Sequence, residues 1–126
     1  MSNIPADLQY TKEHVWVKVE GNIVVMGITD YAQDQLGDII FVDLPETDEE
    51  ISIGDVFTEF ESSRMTYEVL SPLSGKIVAS NEELDYSPEL INEDAYANWI
   101  IKVILSDDTE LDDLLSSEEY KACIDE

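Results

Sequence analysis

Few side chains in this sequence have the type and spacing to do chemistry. His14 is the one histidine and Cys123 the one cysteine. No Ser-His-Asp or Cys-His arrangement and no Gly-rich phosphate loop can be read around them. His14, two residues from Trp16, reads as a structural hydrogen-bonding group, and Cys123, in the last few residues, as a buried or idle thiol. The acidic runs 43–50 and 107–113 lack the alternating ligand spacing of an EF-hand loop and read as solvated faces. An enzyme built on this surface would lack both a nucleophile and its base. The position that stands out is Arg64, a long cation inside the polar stretch Glu61-Ser62-Ser63-Arg64.

The runs 55–60 and 66–70 flank that stretch, and Ser71-Pro72-Leu73-Ser74-Gly75 then turns the chain into a strand over 76–79. Runs rich in β-branched and aromatic residues, bounded by turn formers, read as strands. Arg64 is therefore expected at or near a hairpin tip, with its side chain lifted away from the body. One long side chain displayed on a β-turn is the geometry of a swinging-arm carrier.

Upstream, 15–19 predicts a strand with valines on one face and Trp16 and Lys18 on the other, turned by Glu20-Gly21-Asn22 into a strand over 23–28. A short helix over 29–37 is expected, capped by Thr29 or Asp30, with Gln33 completing a capping box from Asp30 and Gly37 ending it. Strand 38–44 stops at Pro45, 46–50 is an acidic loop, and 51–53 precedes a turn at Gly54. Beyond the hairpin come one helical turn over 87–92 and a strand over 99–105. Asp107 and Glu110 would form a capping box ahead of Leu111, Leu114 and Leu115, and a helix follows over 117–123. Short strands at regular spacing predict a compact, mainly β sandwich or barrel decorated by small helices.

The central stretch resembles the attachment hairpin of the glycine cleavage system H protein family, whose usual form is close to E-S-V-K-A followed by S-P-x-S-G. Here it reads Glu61-Ser62-Ser63-Arg64-Met65, then Ser71-Pro72-Leu73-Ser74-Gly75. The similarity runs roughly from Pro5 to Ile124. It is strongest at Tyr10-Thr11-Lys12-Glu13-His14-Val15-Trp16-Val17, Gly27-Ile28-Thr29-Asp30-Tyr31-Ala32-Gln33 and Leu36-Gly37-Asp38-Ile39-Ile40-Phe41-Val42-Asp43-Leu44-Pro45, and Pro88-Glu89-Leu90-Ile91-Asn92-Glu93-Asp94 and Trp99-Ile100-Ile101-Lys102 match as well. The resemblance implies a lipoyl-domain-like barrel-sandwich hybrid with short peripheral and C-terminal helices, as one domain over 1–126. It also implies a non-enzymatic role: a lipoyl arm carries an aminomethyl group from the P protein to the T protein and is reoxidised by the L protein.

The chain departs from that pattern where the arm should be. The family's lipoyl lysine corresponds to Arg64, and the acidic position four residues on to Glu68; Glu61 and Ser62 flank the site. Amide formation needs an amine lone pair, whereas a guanidinium stays protonated (pKa above about 12) with its lone pairs delocalised. The lysines are Lys12, Lys18, Lys76, Lys102 and Lys121, and none falls at the expected tip. The usual His-Glu-Trp appears as His14-Val15-Trp16, which removes a carboxylate from the arm's resting cleft, and the usual Tyr-Gly-x-Gly-Trp is shortened to Tyr96-Ala97-Asn98-Trp99. No cofactor is expected on this chain, although the family carries lipoate. The expectation is a lipoylation-incompetent binding or regulatory paralogue that docks to the P, T and L proteins or to a lipoate ligase. The alternative is a genuine H protein with an engineered Lys-to-Arg exchange at position 64.

Composition limits the partners. With 126 residues and 44% hydrophobic content, the chain is long enough for a core without metals or disulfides. Thirty acidic residues against six basic ones give a net charge of −24, which repels nucleic acid and anionic membranes and attracts proteins with basic docking faces. No apolar run approaches the roughly 18 residues of a membrane span, and neither a signal core nor a transit pattern opens the sequence. A cytoplasmic monomer is expected.

Overall fold

In the computed structural model, residues 4–106 and 108–124 are described. The first half holds β1 (Gln9–Tyr10), β2 (Val15–Glu20), β3 (Ile23–Ile28), α1 (Asp30–Leu36), β4 (Ile39–Asp43) and β5 (Glu50–Ile51). The central hairpin is β6 (Val56–Ser62) and β7 (Thr66–Leu70). Then follow β8 (Gly75–Ser80), the single turns α2 (Glu83–Tyr86) and α3 (Leu90–Glu93), β9 (Ile101–Leu105), a 3-10 segment (Asp108–Asp113) and α4 (Ser117–Cys123). The strands form two antiparallel sheets, one ordered β1-β2-β3-β9-β8-β5 and the other β4-β6-β7. This is the expected barrel-sandwich.

Alternation along the strands decides which residues fill the space between the sheets. Val15, Val17, Val24, Met26, Ile101 and Val103 of the larger sheet share one buried cluster with Val42, Phe57, Phe60 and Val69 of the smaller. Val19 lies beyond this cluster and is exposed, because β2 runs past the edge of the core; the valines of 15–19 do not all share one buried face. Trp16 points the other way and joins Tyr10, Val25 and Tyr120 in a second apolar cluster on the outside of the larger sheet. Gly27 makes room for it: a Cβ there would lie 2.6 Å from the Trp16 indole nitrogen, which donates to the Ala95 carbonyl at 3.1 Å.

Helix α4 closes that second cluster. Ser116 and Glu119 form its capping box. Tyr120 stacks on Tyr10 with ring centroids 4.8 Å apart, and its hydroxyl meets Thr29 Oγ1 at 2.7 Å and His14 Nδ1 at 2.8 Å. His14 is thus a structural hydrogen-bonding residue, held at a φ of 68°. Three local expectations differ. Thr29 alone caps α1, accepting from the Ala32 amide, while Asp30 bonds the Gln33 side chain and forms no capping box. Glu110 binds Ser74 through the amide (2.7 Å) and the hydroxyl (3.0 Å); Asp107, its expected capping partner, lies outside the described residues. Cys123 is exposed rather than buried, since α4 turns its Tyr120 face inward.

Two outcomes test this packing. Gly27→Ala should cost about 2 kcal/mol in denaturant unfolding, because the rigid indole must move; a neutral change would mean that Trp16 is loosely seated. Burial lowers the His14 pKa below its ordinary value, against a smaller opposing pull from Glu13. The unfolded chain therefore takes up this proton first as pH falls. The site's contribution is full above about pH 6.5 and is lost as pH drops through the lowered folded value. The stability difference between the parent and His14→Asn should shrink over that interval; a difference independent of pH would contradict the burial.

Candidate functional site

The β6–β7 hairpin places residue 64 at a two-residue turn. Its base is fixed by an inward row in which Val42, Phe60 and Tyr67 pair across three strands, with Phe60 fully buried. At the top, Ser62 shapes the turn. Its amide donates to the Met65 carbonyl at 2.9 Å, and its hydroxyl donates to the same oxygen at 3.0 Å. That hydroxyl also accepts from the amides of Arg64 (3.2 Å) and Met65 (3.1 Å). One donor and two acceptor sites are the full capacity of a hydroxyl, and all are used.

The expected lifted side chain is not what the fold produces. Arg64 is at the tip, but it folds back over Gly37 and its Nη1 donates to the carbonyls of Asp34 (3.2 Å) and Gln35 (3.1 Å) at the end of α1. The physical reason lies in α1. The last carbonyls of a helix lack partners within it, and a cation there also meets the negative end of the helix dipole. The last turn of α1 has no basic residue of its own. Gly37, at a φ of 78°, leaves the space: a Cβ there would come within 3.1 Å of both Arg64 Nε and Ser63 Oγ. The Ser63 amide adds a bond to the Asp38 carbonyl at 2.9 Å. Asn92 braces the same corner, donating to the Gly37 carbonyl and accepting from the Ile39 amide, both at 2.8 Å.

The other positions singled out from the sequence are spread around this tip. Glu61 and Glu68 both face outward on the smaller sheet, and neither forms an ion pair with a described residue. Val15 is fully buried among apolar side chains, so position 15 supplies no carboxylate to any cleft. Lys76 sits on β8 of the other sheet, 3.8 Å from Asp48, and Lys102 lies over the Trp99 ring at 4.8 Å. Trp99 and Tyr96 pack against the second cluster. No group of three or more histidine, cysteine or acidic side chains among the described residues could hold a metal ion. Among the described residues no helix is long and apolar enough to cross a membrane. The sequence reading missed the α1 carbonyls; the available signal was Gly37 beside a helix end lacking its own cation.

Residues 8–126 match the family described as glycine cleavage H-protein. The chain belongs to this family. It is 56% identical to the glycine cleavage system H protein of Staphylococcus haemolyticus and 53% identical to that of Staphylococcus saprophyticus, each over 98% of both chains. The crystal structure of a glycine cleavage system H protein from Mycobacterium marinum superposes with a TM-score of 0.88 at 33% identity, covering 98% of this chain and all of that one. Family members carry lipoate covalently, interact with the P, T and L proteins and catalyse nothing themselves. This H-family chain is accordingly not an enzyme.

Arg64→Ala tests the fold-back contact. Its two hydrogen bonds are exposed, so the stability loss should be only about 0.5 kcal/mol. The sharper readout is amide exchange at Ser63, which should accelerate as the tip loosens from α1. Unchanged exchange would mean that the tip is held without Arg64.

Proposed function

We propose that this is a lipoylation-incompetent member of the H-protein family, which keeps the family's docking surface and lacks its arm. The reading rests on one observation: the residue at the hairpin tip is Arg64, whose Nη1 donates to the carbonyls of Asp34 and Gln35. A protonated, delocalised guanidinium does not fit the acylation that attaches lipoate. The nearest lysine in the motif, Lys76, stands on the other sheet. The protein would work in the cytoplasm as a single-domain monomer. There it would dock to a lipoate ligase or to the P, T or L protein as a decoy, regulator or scaffold. Glu61, Ser62 and the strand around Phe60 would form the face that is read, with Glu68 beside them.

A second reading is a genuine carrier H protein in which an engineered change put arginine in place of lysine at position 64. Identity of 50–56% to proteins named glycine cleavage system H protein favours it. The fully bonded Ser62 turn does too, since it would display a lysine equally well. Val15 speaks for the paralogue, because a single engineered change at the tip would leave the family's usual glutamate at position 15.

Intact mass of the protein from its own host, with Arg64→Lys alongside, tests the proposal. The expected result is an unmodified parent and a lipoylated or octanoylated variant. A lipoyl or octanoyl mass on the parent would overturn the reading.

A further inference from the structure

Strand register on the smaller sheet aligns like-charged side chains directly opposite one another. Asp43 is directly opposite Glu59, and Glu59 directly opposite Glu68, giving three carboxylates abreast across β4, β6 and β7. Directly opposed positions are roughly 5 Å apart, and like charges there destabilise a sheet. None of the three is ion-paired with a described residue. The next outward row toward the tip is Phe41, Glu61 and Thr66. Phe41 is 49% exposed, and Ile40, displaced outward where the β4 register shifts, is 62% exposed. Two adjacent large apolar side chains thus stand uncovered on an edge strand beside a row of opposed charges, next to the latched tip.

The geometry points to this outer face of β4-β6-β7 as a docking surface for a protein partner with an apolar hollow rimmed by lysine or arginine. Ile40 and Phe41 would fill the hollow, and the cations would reach the Asp43–Glu59–Glu68 row. Two terms favour that occupant together. Covering the apolar pair removes it from water, and cations between the carboxylates relieve a repulsion built into the free protein. The sign of the charge disfavours the other occupants. Nucleic acid and anionic lipid are repelled. A second copy of a chain with net charge −24 would bring its own carboxylate row against this one. The inference rests on the docking role proposed above and names the surface and the partner chemistry.

The test uses the intact protein against the purified lipoate ligase and the P, T and L proteins of its own host, by calorimetry. The variants are Glu59→Gln with Glu68→Gln, Ile40→Ser with Phe41→Ser, and, as a charge-matched control elsewhere, Asp112→Asn with Glu118→Gln. The parent should bind at least one of these proteins, more weakly as salt rises from about 50 to about 300 mM. Each surface pair should weaken that binding about tenfold while the control does not. Glu59→Gln alone should raise the melting temperature of the free protein by about 2 °C, as the opposed charges are relieved. A higher melting temperature together with weaker binding separates docking from a merely structural role.

Binding retained by both surface pairs would overturn this surface and leave the docking role standing. No binding of the parent to any of the four would overturn both. Self-association of the parent that either surface pair abolishes would assign the face to a second copy and overturn the basic partner.

Discussion

Phe60 has none of its surface exposed, held between Val42 and Tyr67 in the middle strand of the smaller sheet. Burying a phenylalanine stabilises by about 1.5–3 kcal/mol, and here it also fixes register. A one-residue slip of β6 would turn Glu59 and Glu61 into the core and Phe60 out to water. The core therefore permits only one register, and that register sends residue 64 to the turn and the carboxylates to the outer face. The tip is a consequence of packing below it.

Arginine and lysine exploit that tip differently. A lysine is a flexible point charge whose amine becomes a nucleophile once deprotonated. Arginine's guanidinium stays charged and planar and offers several fixed N–H donors. At the end of α1 one of its nitrogens, Nη1, meets two carbonyls, with Gly37 clearing the way. Arg64 therefore acts as a cross-brace between the β6–β7 hairpin and α1, made at an exposed site where each bond is individually weak.

Much of this was legible in the sequence because it depends on local alternation and turn chemistry. The β2–β3 and β6–β7 hairpins, the helix ended by Gly37, and the position of Arg64 all follow from such signals. The direction of the Arg64 side chain did not. Its acceptors are main-chain carbonyls 29 and 30 residues away, and backbone oxygens leave no mark on residue type. Capping of α1 was ambiguous for a related reason: Thr29 and Asp30 are both good caps, and the choice depends on where Gln33 finds its partner. The exposure of Val19 and Cys123 reflects how far the core extends along β2 and α4, which periodicity alone does not reveal.

The second apolar cluster ties distant parts of the chain together. Tyr10 pairs its backbone with Leu115 at 2.7 and 2.8 Å and stacks its ring on Tyr120. Contacts between residues more than a hundred positions apart carry a large loop-closure cost and form late. On the ribosome, β1 and the face of the Tyr10 ring that stacks on Tyr120 must stay uncovered until residues 115–120 have emerged. The larger sheet can begin to zip earlier through β2 and β3, but its outer side is sealed only once synthesis has passed α4.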